Sequence, residues 1–286
     1  MEIIIGKTAG FCFGVANAVN KTKEQLKDKK NIFCLGELVH NKQVTEELEK
    51  EGLFFINNIC DARKDIIIRA HGEKKETYFE AKKAGLNIID LTCPKVTKIH
   101  KIAEEYANKG YYIFLIGNKK HPETVATISY CSKNSYIIES EEDVKTALQD
   151  IYKSKINKLV ILSQTTFSLD KFNKIVESVS NDIKDKNIEL EVKKTICDAT
   201  RLRQEETKEL ASKVDMMMII GGRHSSNTNK LYEIAKSICG NSILIENSTE
   251  LDKEEVKKYN KIGIMAGAST PKKSIETVVE MLNELC

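Results

Sequence analysis

The stretch Ile88-Ile89-Asp90-Leu91-Thr92-Cys93-Pro94-Lys95-Val96-Thr97-Lys98-Ile99 decides the fold of this chain. Its β-branched start reads as a strand. Proline is well tolerated in the first helical turn, where its missing N–H would be unpaired anyway, so Cys93-Pro94 marks a helix start. Val96, Ile99, Ala103 and Tyr106 then recur at helical spacing. The same order of strand, cysteine and helix occurs twice more. Ile3-Ile4-Ile5 precedes a loop with Cys12 and a helix carrying Val15, Ala18, Val19, Thr22 and Leu26. Leu190-Glu191-Val192 precedes Cys197 and a helical stretch through Leu202 to Val214.

The copies share more than their openings. A second strand ends at Gly36, Gly117 and Gly221, each 24 residues after its cysteine. His40, His121 and Ser225 each lie 28 residues after it, and each precedes a helical pattern. Third strands fall at 53–56, 136–138 and 243–245, and fourth strands end at His71, Thr165 and Ser269, at offsets of 59, 72 and 72. Two offsets kept across three copies identify an internal repeat. Short β-branched runs alternating with amphipathic helices predict an α/β fold with short, mostly parallel sheets. The expectation is three units related by a pseudo-threefold axis: segments 1–86, 87–187 and 188–286.

The chain has 286 residues, 41% of them apolar, with 45 basic and 42 acidic side chains. A net charge of +3 leaves no broad electrostatic footprint for nucleic acid or an anionic membrane. No apolar run approaches the roughly 20 residues of a membrane span. The start Met1-Glu2-Ile3-Ile4-Ile5 lacks the basic flank of a signal peptide, so a cytoplasmic protein with reduced thiols is expected. The eight cysteines then divide into the repeated trio and five others, Cys34, Cys60, Cys131, Cys239 and Cys286, read as buried or incidental thiols.

In open parallel sheets ligands bind at the carboxyl ends of strands. The repeat puts Cys12, Cys93 and Cys197 there, with His40, His71, His121, Thr165, Ser225 and Ser269. Three thiolates at helix N-termini form a metal-binding pattern. Structural zinc usually takes four ligands, often paired as C-x-x-C, and no such pair occurs here. Cubane iron–sulfur clusters normally take four cysteines, so three would leave one iron open to a substrate oxygen. The histidines, hydroxyls and helix N–H groups suit a phosphate or diphosphate. Neither a P-loop nor a dinucleotide fingerprint is present. Glu123 in a first helical turn is either a capping residue or, if burial raises its pKa, a proton donor. Three classes stay open: a reductase, a hydrolase on a three-cysteine zinc site, and an anion or iron–sulfur sensor.

The motifs resemble the 4-hydroxy-3-methylbut-2-enyl diphosphate reductase (LytB/IspH) family almost end to end. They include Gly10-Phe11-Cys12-Phe13-Gly14-Val15, Gly36-Glu37-Leu38-Val39-His40-Asn41 and Ala70-His71-Gly72. Asp90-Leu91-Thr92-Cys93-Pro94, His121-Pro122-Glu123 and Ser163-Gln164-Thr165-Thr166 follow. The series closes with Cys197-Asp198-Ala199-Thr200 and Arg203-Gln204, Ser225-Ser226-Asn227-Thr228-Asn229, and Ala266-Gly267-Ala268-Ser269. Asn17 stands where an arginine is common, and Arg69 replaces a small residue. The resemblance implies a clover-like α/β fold around a central iron–sulfur site, a [4Fe–4S] cluster held by Cys12, Cys93 and Cys197. It implies reductive dehydroxylation of an allylic alcohol diphosphate to isopentenyl and dimethylallyl diphosphates, the last step of the non-mevalonate isoprenoid pathway. His40, His71, His121, Ser225, Ser226, Asn227 and Ser269 would hold the substrate. Glu123 would supply protons, with Thr165, and Thr200 second to it, organising the hydroxyl end. An external one-electron donor such as ferredoxin or flavodoxin would be the partner.

Overall fold

The computed structural model describes residues 1–285; Cys286 lies outside the described residues. The chain begins β1 (Glu2–Ile5), α1 (Phe13–Asp28), β2 (Ile32–Leu35), α2 (Lys42–Lys50), β3 (Leu53–Ile56), β4 (Asp65–Ile68), α3 (Lys75–Lys83) and β5 (Asn87–Asp90). It continues α4 (Pro94–Asn108), β6 (Tyr112–Ile116), α5 (Pro122–Ile128), β7 (Ser135–Ile138), α6 (Glu142–Ser154), β8 (Lys158–Ser163), α7 (Leu169–Ile183) and β9 (Glu189–Val192). The last third is α8 (Asp198–Ala211), β10 (Met216–Ile220), α9 (Ser226–Ile238), β11 (Ser242–Ile245), α10 (Lys253–Val256), β12 (Lys261–Ala266) and α11 (Lys272–Asn283). Pro94 and Pro122 open their helices and Pro271 stands at the N-cap of α11, so all three prolines mark helix starts.

The strands form three four-stranded sheets, ordered β3-β2-β4-β5, β7-β6-β8-β9 and β11-β10-β12-β1. Every pairing is parallel. Two compact units contain them. One, residues 17–38 and 51–197, holds the first two sheets. The other, residues 1–16, 39–50 and the chain from 198 onward, holds the third.

The three sheets share one strand order, but the strand that opens each repeat joins the sheet before it. β5 pairs with β4, β9 with β8, and β1 with β12. A division at 86/87 and 187/188 would separate β5 and β9 from the sheets they complete. The cause is physical. A parallel strand can reach either neighbouring sheet through a helical crossover, and spacing along the chain does not choose between them.

Both faces of the sheets are covered, which is why their central strands read as unbroken apolar runs. On β6, Tyr112, Phe114 and Ile116 face α6 and α7, packing with Val144, Leu148, Phe172 and Ile175. Ile113 and Leu115 face the other way, onto Ile99 and Ala103 of α4. Met216, Met218 and Ile220 of β10 pack with Ile275 and Val278 of α11, and Met217 and Ile219 with Leu210 and Leu231. Among the cysteines outside the repeat, Cys34 and Cys239 are buried, Cys131 is half-buried and Cys60 exposed. Among the described residues no helix is long and apolar enough to cross a membrane.

Phe114 is fully buried at the centre of its sheet. Phe114→Ala should lower unfolding free energy by about 3–5 kcal/mol, read as an earlier denaturant midpoint at unchanged slope.

Candidate functional site

In each sheet the strand order reverses between two central strands, β2 and β4, β6 and β8, and β10 and β12. The carboxyl ends at such a reversal diverge and leave a crevice, the usual ligand position in open α/β sheets. Gly36, Gly117 and Gly221 stand at the first of each pair, their amides donating to Ile56, Ile138 and Ile245 carbonyls at 2.8, 2.9 and 2.9 Å. The second of each pair leads to His71, Thr165 and Ser269. There one hydrogen bond recurs three times. The Cys93 amide donates to Ala70 O at 3.0 Å, Cys197 to Thr165 O at 3.1 Å, and Cys12 to Ala268 O at 3.1 Å. Every repeat cysteine is thus pinned at or beside the polar residue two or three positions past the end of the fourth strand.

In the larger unit Cys93 is the N-cap of α4, its carbonyl accepting from Thr97 N at 2.9 Å. His121 caps α5, its Nδ1 accepting from Glu123 N at 3.2 Å. That bond leaves Nε2 as the donor nitrogen of the neutral ring. The His71 and His121 rings meet edge to face, centroids 5.3 Å apart. Glu123 is 2% exposed, and both its carboxylate oxygens accept from Thr165. Oε1 accepts from Thr165 N and Oε2 from Thr165 Oγ1, both at 2.6 Å. Burial pushes the Glu123 carboxyl up to about 7, and the two Thr165 hydrogen bonds restrain the rise. A carboxyl so tuned can hold or release a proton near neutrality.

Two supports of this unit escape a reading by spacing. Gln164 accepts from Asn118 N at 3.1 Å and Thr124 Oγ1 at 3.3 Å and donates to Thr166 Oγ1 at 2.7 Å, tying the end of β8 to α5. His100 stacks on Tyr130 at 4.2 Å, and burial lowers its imidazole to about 4, keeping it neutral. It floors the turn that carries His71. Gly72 has φ +74°, and a Cβ there would come within 2.7 Å of His100 Cε1. An Arg69–Glu73 ion pair at 2.7 Å spans the same turn.

In the smaller unit Ser225 caps α9, its Oγ accepting from Thr228 N at 3.3 Å, and Ser226 opens the helix. Asn227 is 3% exposed, and neither its amide oxygen nor its nitrogen has a hydrogen-bond partner among the described residues. Buried orphans of this kind are costly and call for a ligand or water. Ser269 Oγ donates to the His40 carbonyl at 3.1 Å, and a Cβ on Gly222 would lie 2.7 Å from that same oxygen. Asn41 rather than His40 caps α2, with Oδ1 accepting from Val44 N at 3.2 Å. Thr200 is buried in α8. The structure therefore groups His71, His121, Glu123 and Thr165 with Cys93 and Cys197 in one unit. It groups Cys12, His40, Ser225, Ser226, Asn227 and Ser269 in the other.

Three parallel sheets whose crevices carry cysteine, histidine, hydroxyl and carboxamide groups define a triplicated α/β protein with polar strand-end sites. The chain belongs to the LytB protein family, whose model matches residues 3–283. A 4-hydroxy-3-methylbut-2-enyl diphosphate reductase of Clostridioides difficile (strain 630) is 42% identical over 288 residues, covering 100% of both chains. The solved E-1-hydroxy-2-methyl-but-2-enyl-4-diphosphate reductase from Plasmodium falciparum has a TM-score of 0.89 at 33% identity, over 99% of this chain and 88% of that one. A second solved structure, (E)-4-hydroxy-3-methyl-but-2-enyl diphosphate reductase, the terminal enzyme of the non-mevalonate pathway, has a TM-score of 0.71 at 37% identity. The match covers 99% of this chain and 100% of that one.

Thr165→Val removes the hydroxyl donor to Glu123 Oε2. Because that bond favours the carboxylate, its loss should move the Glu123 protonation midpoint further above about 7, followed through the infrared carbonyl band of the protonated acid.

Proposed function

We propose that this chain reduces (E)-4-hydroxy-3-methylbut-2-enyl diphosphate to isopentenyl and dimethylallyl diphosphates, as an iron–sulfur oxidoreductase. The buried Glu123 held by Thr165, one hydrogen bond from Cys197, carries the reading. The reaction consumes two electrons and two protons. The allylic C–O bond breaks, the hydroxyl leaves as water, and a carbon takes the second proton.

The donor set fits a metal cofactor: three soft thiol ligands at equivalent places, each with its amide fixed to a strand-end carbonyl. Cys12, Cys93 and Cys197 would hold a [4Fe–4S] cluster. When bound, that group supplies electrons one at a time and Lewis acidity. The remaining work falls to the chain. Glu123 would hold a proton on a carboxyl whose hydrogen-bond donors among the described residues come from Thr165, and Thr165 Oγ1 would orient the substrate hydroxyl. His40, His71, His121, Ser225, Ser226 and Ser269 would bind the diphosphate, and Asn227 Nδ2 offers a buried donor to an anionic oxygen. No nucleic acid or membrane enters the reaction. Electrons would come from an external carrier such as ferredoxin or flavodoxin in the reducing cytoplasm.

An anaerobic assay with the allylic diphosphate and an artificial one-electron donor tests the reading directly. Isopentenyl and dimethylallyl diphosphates are the expected products. Zinc without acid-labile sulfide in the anaerobically purified protein would overturn it. Glu123→Gln should cut turnover by about 10²–10⁴-fold while iron content and substrate affinity hold. If protonated Glu123 is the working form, wild-type turnover should fall as pH rises through about 7, and a flat profile there would remove Glu123 as the acid.

A further inference from the structure

The loop from β1 to Cys12 makes little hydrogen bonding of its own. Inside it, the Ala9 amide donates to Gly6 O at 3.1 Å. Its ends are held by backbone, Gly6 N donating to Ile264 O at 2.9 Å and Cys12 N to Ala268 O at 3.1 Å, and its middle by side chains of α8, nearly two hundred residues away. Glu206 Oε1 accepts from Lys7 N at 2.6 Å, and Oε2 accepts from Thr8 N at 2.8 Å and from Thr8 Oγ1. One helical turn earlier on the same face, Arg203 Nη2 donates to Gly10 O at 2.6 Å while Nη1 donates to Ala199 O at 2.9 Å. Arg203 is 5% exposed, so this guanidinium has been taken from water to serve backbone carbonyls. Glycine is required where the clamp closes. Gly10 has φ +99°, and a Cβ on Gly6 would meet the Glu206 carboxyl carbon at 3.3 Å and Met265 Sδ at 2.0 Å.

Hydrogen bonds to a charged group are the stronger kind, and they aim an otherwise irregular loop. Arg203 grips the carbonyl two residues before Cys12, and Glu206 grips the amides four and five residues before it. The helix that does this begins at Asp198, directly after Cys197. We propose that Arg203 and Glu206 are positioning residues that hold the Cys12 loop ready to bind metal, setting Cys12 from the helix that follows Cys197. The proposal rests on Cys12 being a metal ligand, as the function above requires. Outer-shell partners of a ligand tune how tightly metal is kept without touching it.

The test compares Glu206→Gln and Arg203→Lys with Glu209→Gln, which alters an exposed Lys213 ion pair on the same helix. Glu206→Gln keeps the side chain's size but loses half its accepting capacity, and it serves if Arg203→Lys does not fold. Anaerobically purified proteins are followed by hydrogen exchange of the segment 6–12 and by iron release to a chelator. The electron paramagnetic resonance signal of the reduced cluster gives a third readout. Exchange in 6–12 should quicken in the variant while the sheet amides stay as in wild type. Iron release should rise by about tenfold or more, with an altered resonance signal. Glu209→Gln should match wild type throughout. Wild-type release and exchange in an iron-loaded Glu206→Gln protein would overturn the clamp alone, as would a uniform rise in exchange across the whole unit. A wild-type chain that carries no iron would overturn the assigned function, and the ligand-holding role with it.

Discussion

The structure turns on one hydrogen bond made three times, from a cysteine amide to the carbonyl at or beside the polar residue that follows a fourth strand. Parallel sheets make it possible. Each cysteine follows a strand that is hydrogen-bonded beside that fourth strand, so both chains reach the same sheet edge pointing the same way. Past the last ladder bond they diverge, one into a helix and one into a polar loop. The amide bond holds them together for one residue more. A thiol and a histidine or hydroxyl are therefore placed side by side by backbone, before any side-chain contact contributes. Strand ends of this kind sit on rigid elements, which suits ligand placement better than free loops.

Glu123 shows how that backbone frame tunes chemistry. Removing a carboxyl from water raises its pKa by disfavouring the charged form. Two donors from Thr165 oppose this, and the outcome near 7 is a balance between them. The same Thr165 presents its carbonyl to the Cys197 amide, so the residue that restrains the acid is also fixed to the cysteine. Displacing either end of Thr165 would move both.

The repeat offsets were readable because they are local. A glycine 24 residues after each cysteine and a polar residue 28 after it need only one strand–helix–strand plan. The strand-end location of Cys12, Cys93 and Cys197 followed, as did that of His71, Thr165 and Ser269. Sheet membership was not readable. The strand Asn87–Asp90 has the same β-branched character whichever sheet takes it, and only packing against Asp65–Ile68 decides. The supports were hidden for a related reason. Glu206 serves a loop 198 and 199 residues away, and Gln164 reaches Asn118 across 46. A charged or amide side chain on a helix or strand end looks the same in sequence whether it faces water or a distant backbone.

Equivalent positions also explain why one repeat carries a buried carboxyl. Glu123 lies 30 residues after Cys93, and the same count from Cys12 and Cys197 reaches Lys42 and Asn227. One backbone position thus carries a carboxyl, an ammonium and a carboxamide. Glu123 and Asn227 are both buried, whereas the Lys42 side chain is 79% exposed. The difference traces to the helix start: His121 and Ser225 are N-caps, but in the first copy the cap moves to Asn41, so Lys42 begins its helix. The residues that follow the fourth strands differ as well: His71, Thr165 and Ser269 in the three copies. A buried carboxyl needs donors to remain titratable near neutrality, and Thr165 provides two. A buried carboxamide needs no proton balance, only a ligand that satisfies it. Triplication supplied three like crevices, and a change of side chain and helix cap was enough to give one a carboxyl titrating near neutrality and another a buried carboxamide.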